Sequence, residues 1–184
     1  GAMALNNAGT SSHAMGAIFG SGACASVLAN FDNAQVRRLL SYLAHESSGL
    51  GCWMAEHDHV QKAYVFGAMG AKNAITSVLL VQSGWTGLEE ALEGPRTLFQ
   101  ARAQTAKGRS MEPPLVLGHE ILGSNIKKWC VGSPAQAPLD CLQALLPSLP
   151  AMDQIKSITV EIRSDEAFIV DNRDMPNICL QHLV

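Results

Sequence analysis

Apolar positions follow a helical period through the first hundred residues and switch to strict alternation only near the end of the chain. In residues 33–47, NAQVRRLLSYLAHES, Val36, Leu39, Leu40, Tyr42 and Leu43 fall roughly on one helical face, with Asn33 placed to cap the start. Residues 11–30, SSHAMGAIFGSGACASVLAN, predict a helix opened by Ser11 or Ser12, whose small side chains let a neighbouring backbone come close. After the Gly-broken stretch SSGLGCW, a longer helix is predicted from Lys62 to Ser83 and ended by Gly84-Trp85-Thr86-Gly87. Short helices are expected at Leu88–Leu92 and over 97–106.

The pattern changes at KGRSMEPP, residues 107–114, a polar stretch closed by two prolines that reads as a linker. Beyond it a short strand is expected near Trp129–Val131, then a helix over 134–146 that starts at Pro134 or at Pro138. In KSITVEIRS, residues 156–164, Ile158, Val160 and Ile162 alternate with Thr159, Glu161 and Arg163, the best strand signal in the chain. The predicted fold class is therefore α+β. An all-helical domain over 4–106 is joined by the 107–114 linker to a smaller, partial α/β lid domain over 115–184. One strand and one helix do not complete a sheet, so that second half reads as unfinished. Gly1-Ala2-Met3 reads as a cloning remnant and is set aside.

Composition narrows the function classes. With 184 residues, 47% hydrophobic and 16% charged, the chain has the makings of a packed core. A net charge of −3 without a basic block excludes a nucleic-acid footprint. Cys24, Cys52, Cys130, Cys141 and Cys179 are scattered and odd in number, which argues against a disulfide framework or structural zinc and for a reducing cytoplasm. No signal-peptide pattern is visible. The most apolar helix carries Lys72, Asn73 and Gln82, so it reads as a core helix, with no membrane partner expected.

Four segments hold candidate chemistry. EHDHVQK, residues 56–62, gathers His57, His59 and Lys62. A metal site there needs a third ligand, which no HExxH-like pattern supplies, and no metal or other cofactor is expected. Two readings remain open: a solvated loop before a helix, or an anion site at a helix start where Lys62 and the histidines hold a carboxylate and exchange protons. In NIKKWCVGSPAQAPLDC, residues 125–141, Lys127 and Lys128 precede a Gly132-Ser133 turn whose amides offer a second anion nest; ordinary edge lysines are the plainer alternative. His13, behind Ser11 and Ser12, reads as a capping or packing residue by itself. In DNRDMPNICLQH, residues 171–182, Asp171, Arg173 and Asp174 read as a turn held by local ion pairs.

Together SSHAMGAIFGSGACAS, QVRRLLSYLAHESSGLGCWMAEHDHVQKAYVFGAMGAKNAITSVLLVQSGWTG, ILGSNIKKWCVGSPAQAPLD and VDNRDMPNICLQH resemble the MmgE/PrpD family, which includes 2-methylcitrate dehydratase and cis-aconitate decarboxylase. The resemblance runs in the family's order over most of residues 8–182. It implies a large helical domain and a smaller α/β lid with the active site between them, a homodimer, and no metal. By resemblance Lys62, His13 and His59 are the catalytic candidates; Lys127, Lys128, His57 and Ser133 are the substrate-binding ones, with Lys62 and Lys127 expected in one pocket. The chain resembles the family's middle portion, without the family's upstream Asp/His segment, so the isolated chain is expected to be inactive and to self-associate.

The implied parent activity is a cytoplasmic carbon–oxygen lyase of propionate metabolism, dehydrating a 2-methylcitrate-like polycarboxylate. Rival readings are a non-catalytic carboxylate-binding or dimerisation module, and a decarboxylase or epimerase of the same family.

Overall fold

A computed structural model describes residues 9–47, 49–55, 62, 64–102 and 118–184. The chain divides into two compact units, Gly1–Glu112 and Pro113–Val184.

Among its described residues, the first unit is built on three long helices: α1 (Met15–Leu28), α2 (Asn33–Glu46) and α3 (Met69–Gln82). The apolar stripe read from residues 33–47 is the buried stripe of α2. Leu39 and Leu43 are buried in one cluster with Ile18 of α1 and Ala74, Val78 and Val81 of α3. The cap falls one residue earlier than Asn33. Asp32 accepts from the Gln35 amide while the Gln35 side chain accepts from the Asp32 amide, a reciprocal capping box.

Helix α1 is nearly uniform in polarity, and it packs through small residues. At Gly70 of α3 a Cβ would lie 3.1 Å from both the Ala14 carbonyl oxygen and the Ile18 amide nitrogen, so the two backbones approach as closely as glycine permits. The segment Tyr64–Gln82 is long and apolar enough to cross a membrane by length and composition. Its buried residues Gly70, Ala74, Ser77, Val78 and Val81 belong to α3, whose Ala74, Val78 and Val81 form the core shared with α1 and α2. A five-residue π-helical turn, Tyr64–Ala68, runs without a break into α3, so Tyr64–Gln82 is one continuous helix within the expected Lys62–Ser83 range.

Leu88–Leu92 is not helical. The stretch from Thr86 to Glu90 is tied onto α2: Leu88 N–H donates to Ser41 Oγ at 3.1 Å, the Glu90 side chain pairs with Arg37 at 3.0 Å, and the Tyr42 hydroxyl donates to the Thr86 carbonyl. A short helix α4 (Leu98–Arg102) follows, and residues 103–106 of the expected helix lie outside the described residues. So does the expected 107–114 linker.

The second unit corrects the α+β expectation. Among the described residues there is no strand in either unit, only an isolated antiparallel bridge between Thr10 and Leu50. Here the helices are α5 (Gln136–Leu145), α6 (Ser164–Val170) and α7 (Leu180–Leu183), with two 3₁₀ turns, Leu146–Ser148 and Met152–Gln154, between α5 and α6 and one, Pro176–Ile178, between α6 and α7. Residues 155–163 belong to no helix or strand, and the alternation holds only in part: Val160 and Ile162 pack on the small core of Ala135, Val170 and Leu180, while Ile158 is 52% exposed. A strand, however, is defined by ladder hydrogen bonds to a neighbour, and no described segment pairs with this one. Trp129–Val131 is likewise bent chain, because its polar groups are spent on α5. Helix α5 starts at Gln136 after a 3₁₀ turn, Ser133–Ala135, that holds Pro134; Pro138 sits in the first turn, where its missing N–H costs nothing.

Candidate functional site

The first unit gathers its chemistry where the start of α1, the 3₁₀ turn Gly51–Ala55 and the π turn meet. His13 stacks on Phe66, centroids 4.5 Å apart at 14°, and meets Trp53 edge-on at 5.5 Å. Trp53 and Phe66 meet each other edge-on at 5.2 Å, closing an aromatic corner. The Lys62 ammonium lies 4.4 Å from the Trp53 ring centroid and 5.6 Å from that of Phe66. The negative ring faces hold the cation in place by cation–π attraction.

The other side of His13 is fixed by Ser11. Ser11 Oγ is 2.7 Å from His13 Nδ1, and the His13 amide donates to the same oxygen at 3.4 Å. Ser11 is buried, whereas His13 is exposed. Ser11 engages Nδ1, which makes Nε2 the candidate nitrogen to meet a ligand. Packing against two rings strips water from the imidazole, and Lys62 adds a like charge; both lower the His13 pKa below its ordinary 6.5, burial being the larger cause. At neutral pH the ring is therefore uncharged and able to take a proton. A neutral imidazole beside a fixed ammonium can accept a proton from a carbon whose neighbouring carboxylate the ammonium neutralises.

Trp53 Nε1 is buried and has no hydrogen-bond partner. Among the described residues, no group of three His, Cys, Asp or Glu side chains is placed to hold a metal ion.

The second unit holds Lys127, Lys128 and Ser133. Lys128 donates to Asp140 at 2.8 Å and to Gln143, and lies 4.9 Å from the Trp129 ring. Trp129 Nε1 donates to the same Asp140 carboxylate at 3.0 Å. Hydrogen bonds from Lys128, then from Trp129, pull the Asp140 pKa below the ordinary carboxylate value. Lys128 therefore clamps its turn onto α5. Lys127 is exposed and donates to the Val131 carbonyl at 3.2 Å. Ser133 is exposed at the start of the 3₁₀ turn; the neighbouring Gly132 N–H is taken by the Asn177 carbonyl at 3.0 Å, so that amide does not serve an anion.

Residues 1–111, more than half of the chain, match the model of the MmgE/PrpD N-terminal domain. The chain belongs to the MmgE/PrpD family. No curated protein and no solved structure matches it.

Of the residues read as candidates, His13 and Lys62 lie within the MmgE/PrpD match and are gathered on one aromatic corner. His57 and His59 lie within the same match but outside the described residues. Lys127, Lys128 and Ser133 lie beyond the matched residues, in the second unit. Trp53 and Phe66 were not singled out from sequence. Their only signal there is an aromatic placed nine residues before Lys62 and another four after it, and that spacing is shared by ordinary core residues.

Proposed function

We propose that this MmgE/PrpD chain carries the proton-transfer half of a carbon–oxygen lyase site, acting on a 2-methylcitrate-like tricarboxylate in a reducing cytoplasm. The observation that carries the reading is His13, exposed and with a lowered pKa, on the same aromatic corner as the Lys62 ammonium. In this mechanism Lys62 binds a substrate carboxylate and neutralises charge as the adjacent C–H bond breaks. His13 Nε2 takes that proton, with Nδ1–H donating to Ser11 Oγ. The electron pair forms the carbon–carbon double bond, and the β-hydroxyl leaves as water after protonation by a second acid, for which His59 is the candidate. His57 in the first unit and Lys127 and Ser133 in the second are each proposed as carboxylate-binding residues; Lys128, through its clamp to Asp140, holds the turn that carries Lys127 and Ser133. The five unpaired cysteines suit the reducing compartment.

Incubating the protein with 2-methylcitrate in D₂O tests this directly. The expected result is deuterium wash-in at the carbon next to a carboxylate without net dehydration, in keeping with the expected inactivity of the chain in the full reaction, with loss of signal in H13Q and weakened tricarboxylate binding in K62M. Binding without any exchange in the wild type would support a carboxylate-binding module instead. Neither binding nor exchange would remove the proposal altogether.

A further inference from the structure

Arg102 closes α4, 91 residues from Ser11 and 55 from Ser47, yet its guanidinium reaches both. It donates to the Ser11 carbonyl at 3.0 Å and to the Ser47 carbonyl at 2.6 Å. Both serines are buried, 3% and 2% exposed, so neither carbonyl can exchange this donor for bulk water. Ser11 is also the residue whose hydroxyl meets His13 Nδ1. Its backbone is held from a second side, because Ser11 N–H donates to the Gly49 carbonyl and Gly51 N–H to the Gly9 carbonyl, each at 2.9 Å. A Cβ on Gly49 would sit 2.5 Å from the Ser11 carbonyl oxygen, so this crossing tolerates no side chain. The planar guanidinium fork can serve two carbonyls from different chain segments at once, which a lysine ammonium, a single point of charge, does with far poorer geometry.

We propose that Arg102 is a positioning residue for His13: its fork pins the Ser11 backbone and, through the Ser11 hydroxyl, sets where the imidazole points. The catalytic consequence rests on the reading of His13 as the base, while the positioning itself needs no substrate.

The experiment is an NMR titration of the His13 ring in wild type, R102K and R102M, with V78A as a variant that loosens the same core without touching Ser11. H13Q assigns the resonance among the six histidines. Among the described residues, the rings packed on His13 are Trp53 and Phe66, both uncharged, and Lys62 is the cation acting on it. With the fold retained by circular dichroism, R102K and R102M are expected to raise the His13 midpoint towards the ordinary imidazole value. A loosened ring loses both the packing and the nearby ammonium that hold the midpoint down. V78A should leave it in place. Deuterium wash-in should fall about 10²-fold, as a misplaced base does, with tricarboxylate affinity unchanged. An unmoved midpoint in folded R102K overturns the proposal, and R102K alone decides if R102M does not fold. A raised midpoint in a protein whose wild type shows no exchange would keep the positioning role and remove the base reading.

Discussion

His13 owes its uncharged state to two separable causes, burial against Phe66 and Trp53 and the charge of Lys62. K62M keeps the length and apolar stem of the side chain but removes the charge. The His13 midpoint should therefore rise in K62M and still remain below the ordinary value, since burial is the larger cause. NMR titration reads this directly, and an unchanged midpoint would mean that the ammonium does not act on the ring. The same shift bears on stability. The unfolded chain protonates this histidine at about pH 6.5, whereas the folded chain resists protonation. The contribution is thus fully present above the unfolded value and lost as pH falls through the lower folded one. Urea midpoints measured from neutral pH downward should show an acid sensitivity that H13Q lacks. From sequence, His13 and Lys62 were legible as titratable groups in small-residue surroundings. Trp53, Phe66 and Arg102 were not, because their roles arise from contacts between segments far apart in the chain.

The helices were legible to the extent that their own periodicity stabilises them. The α2 stripe and its turn-spaced leucines predict the buried face, and Leu43, 1% exposed, is its centre. L43A should cost about 2–5 kcal/mol by loss of burial and cavity formation, read as a lower denaturant midpoint. D32A removes one side of the capping box and should cost about 1 kcal/mol; a loss as large as that of L43A would contradict its role as a cap. Where an element depends on a neighbour, the sequence signal misled. Residues 156–164 carry the alternation of a strand, and Val160 and Ile162 use it to reach the core, but no described partner completes a ladder. Leu88–Leu92 has helical composition, yet its bonds to Ser41 and Arg37 on α2 outweigh the weak propensity of five residues.

Across the whole chain, large apolar side chains remain uncovered in both units. Val27 and Leu28 end α1 at 75% and 83% exposure, and in the second unit Ile121, Leu122, Ile126 and Met152 are 78% exposed or more. Single exposed apolar residues are ordinary, but adjacent pairs such as Val27-Leu28 and Ile121-Leu122 form patches that water covers poorly. A net charge of only −3 gives little repulsion between copies to oppose their burial. We therefore expect the chain to associate with itself, with light scattering reporting a dimer or larger species whose mass falls on dilution. A charge placed in a buried contact is costly unless it is paired, so L28E and L122E identify which patch is used. The variant that touches the contact should move the mass towards the 19.6 kDa monomer, and the other should not. A wild-type chain that stays monomeric at high concentration would show that these patches are not contacts between copies. A mass unchanged in both variants would place the contact on other residues.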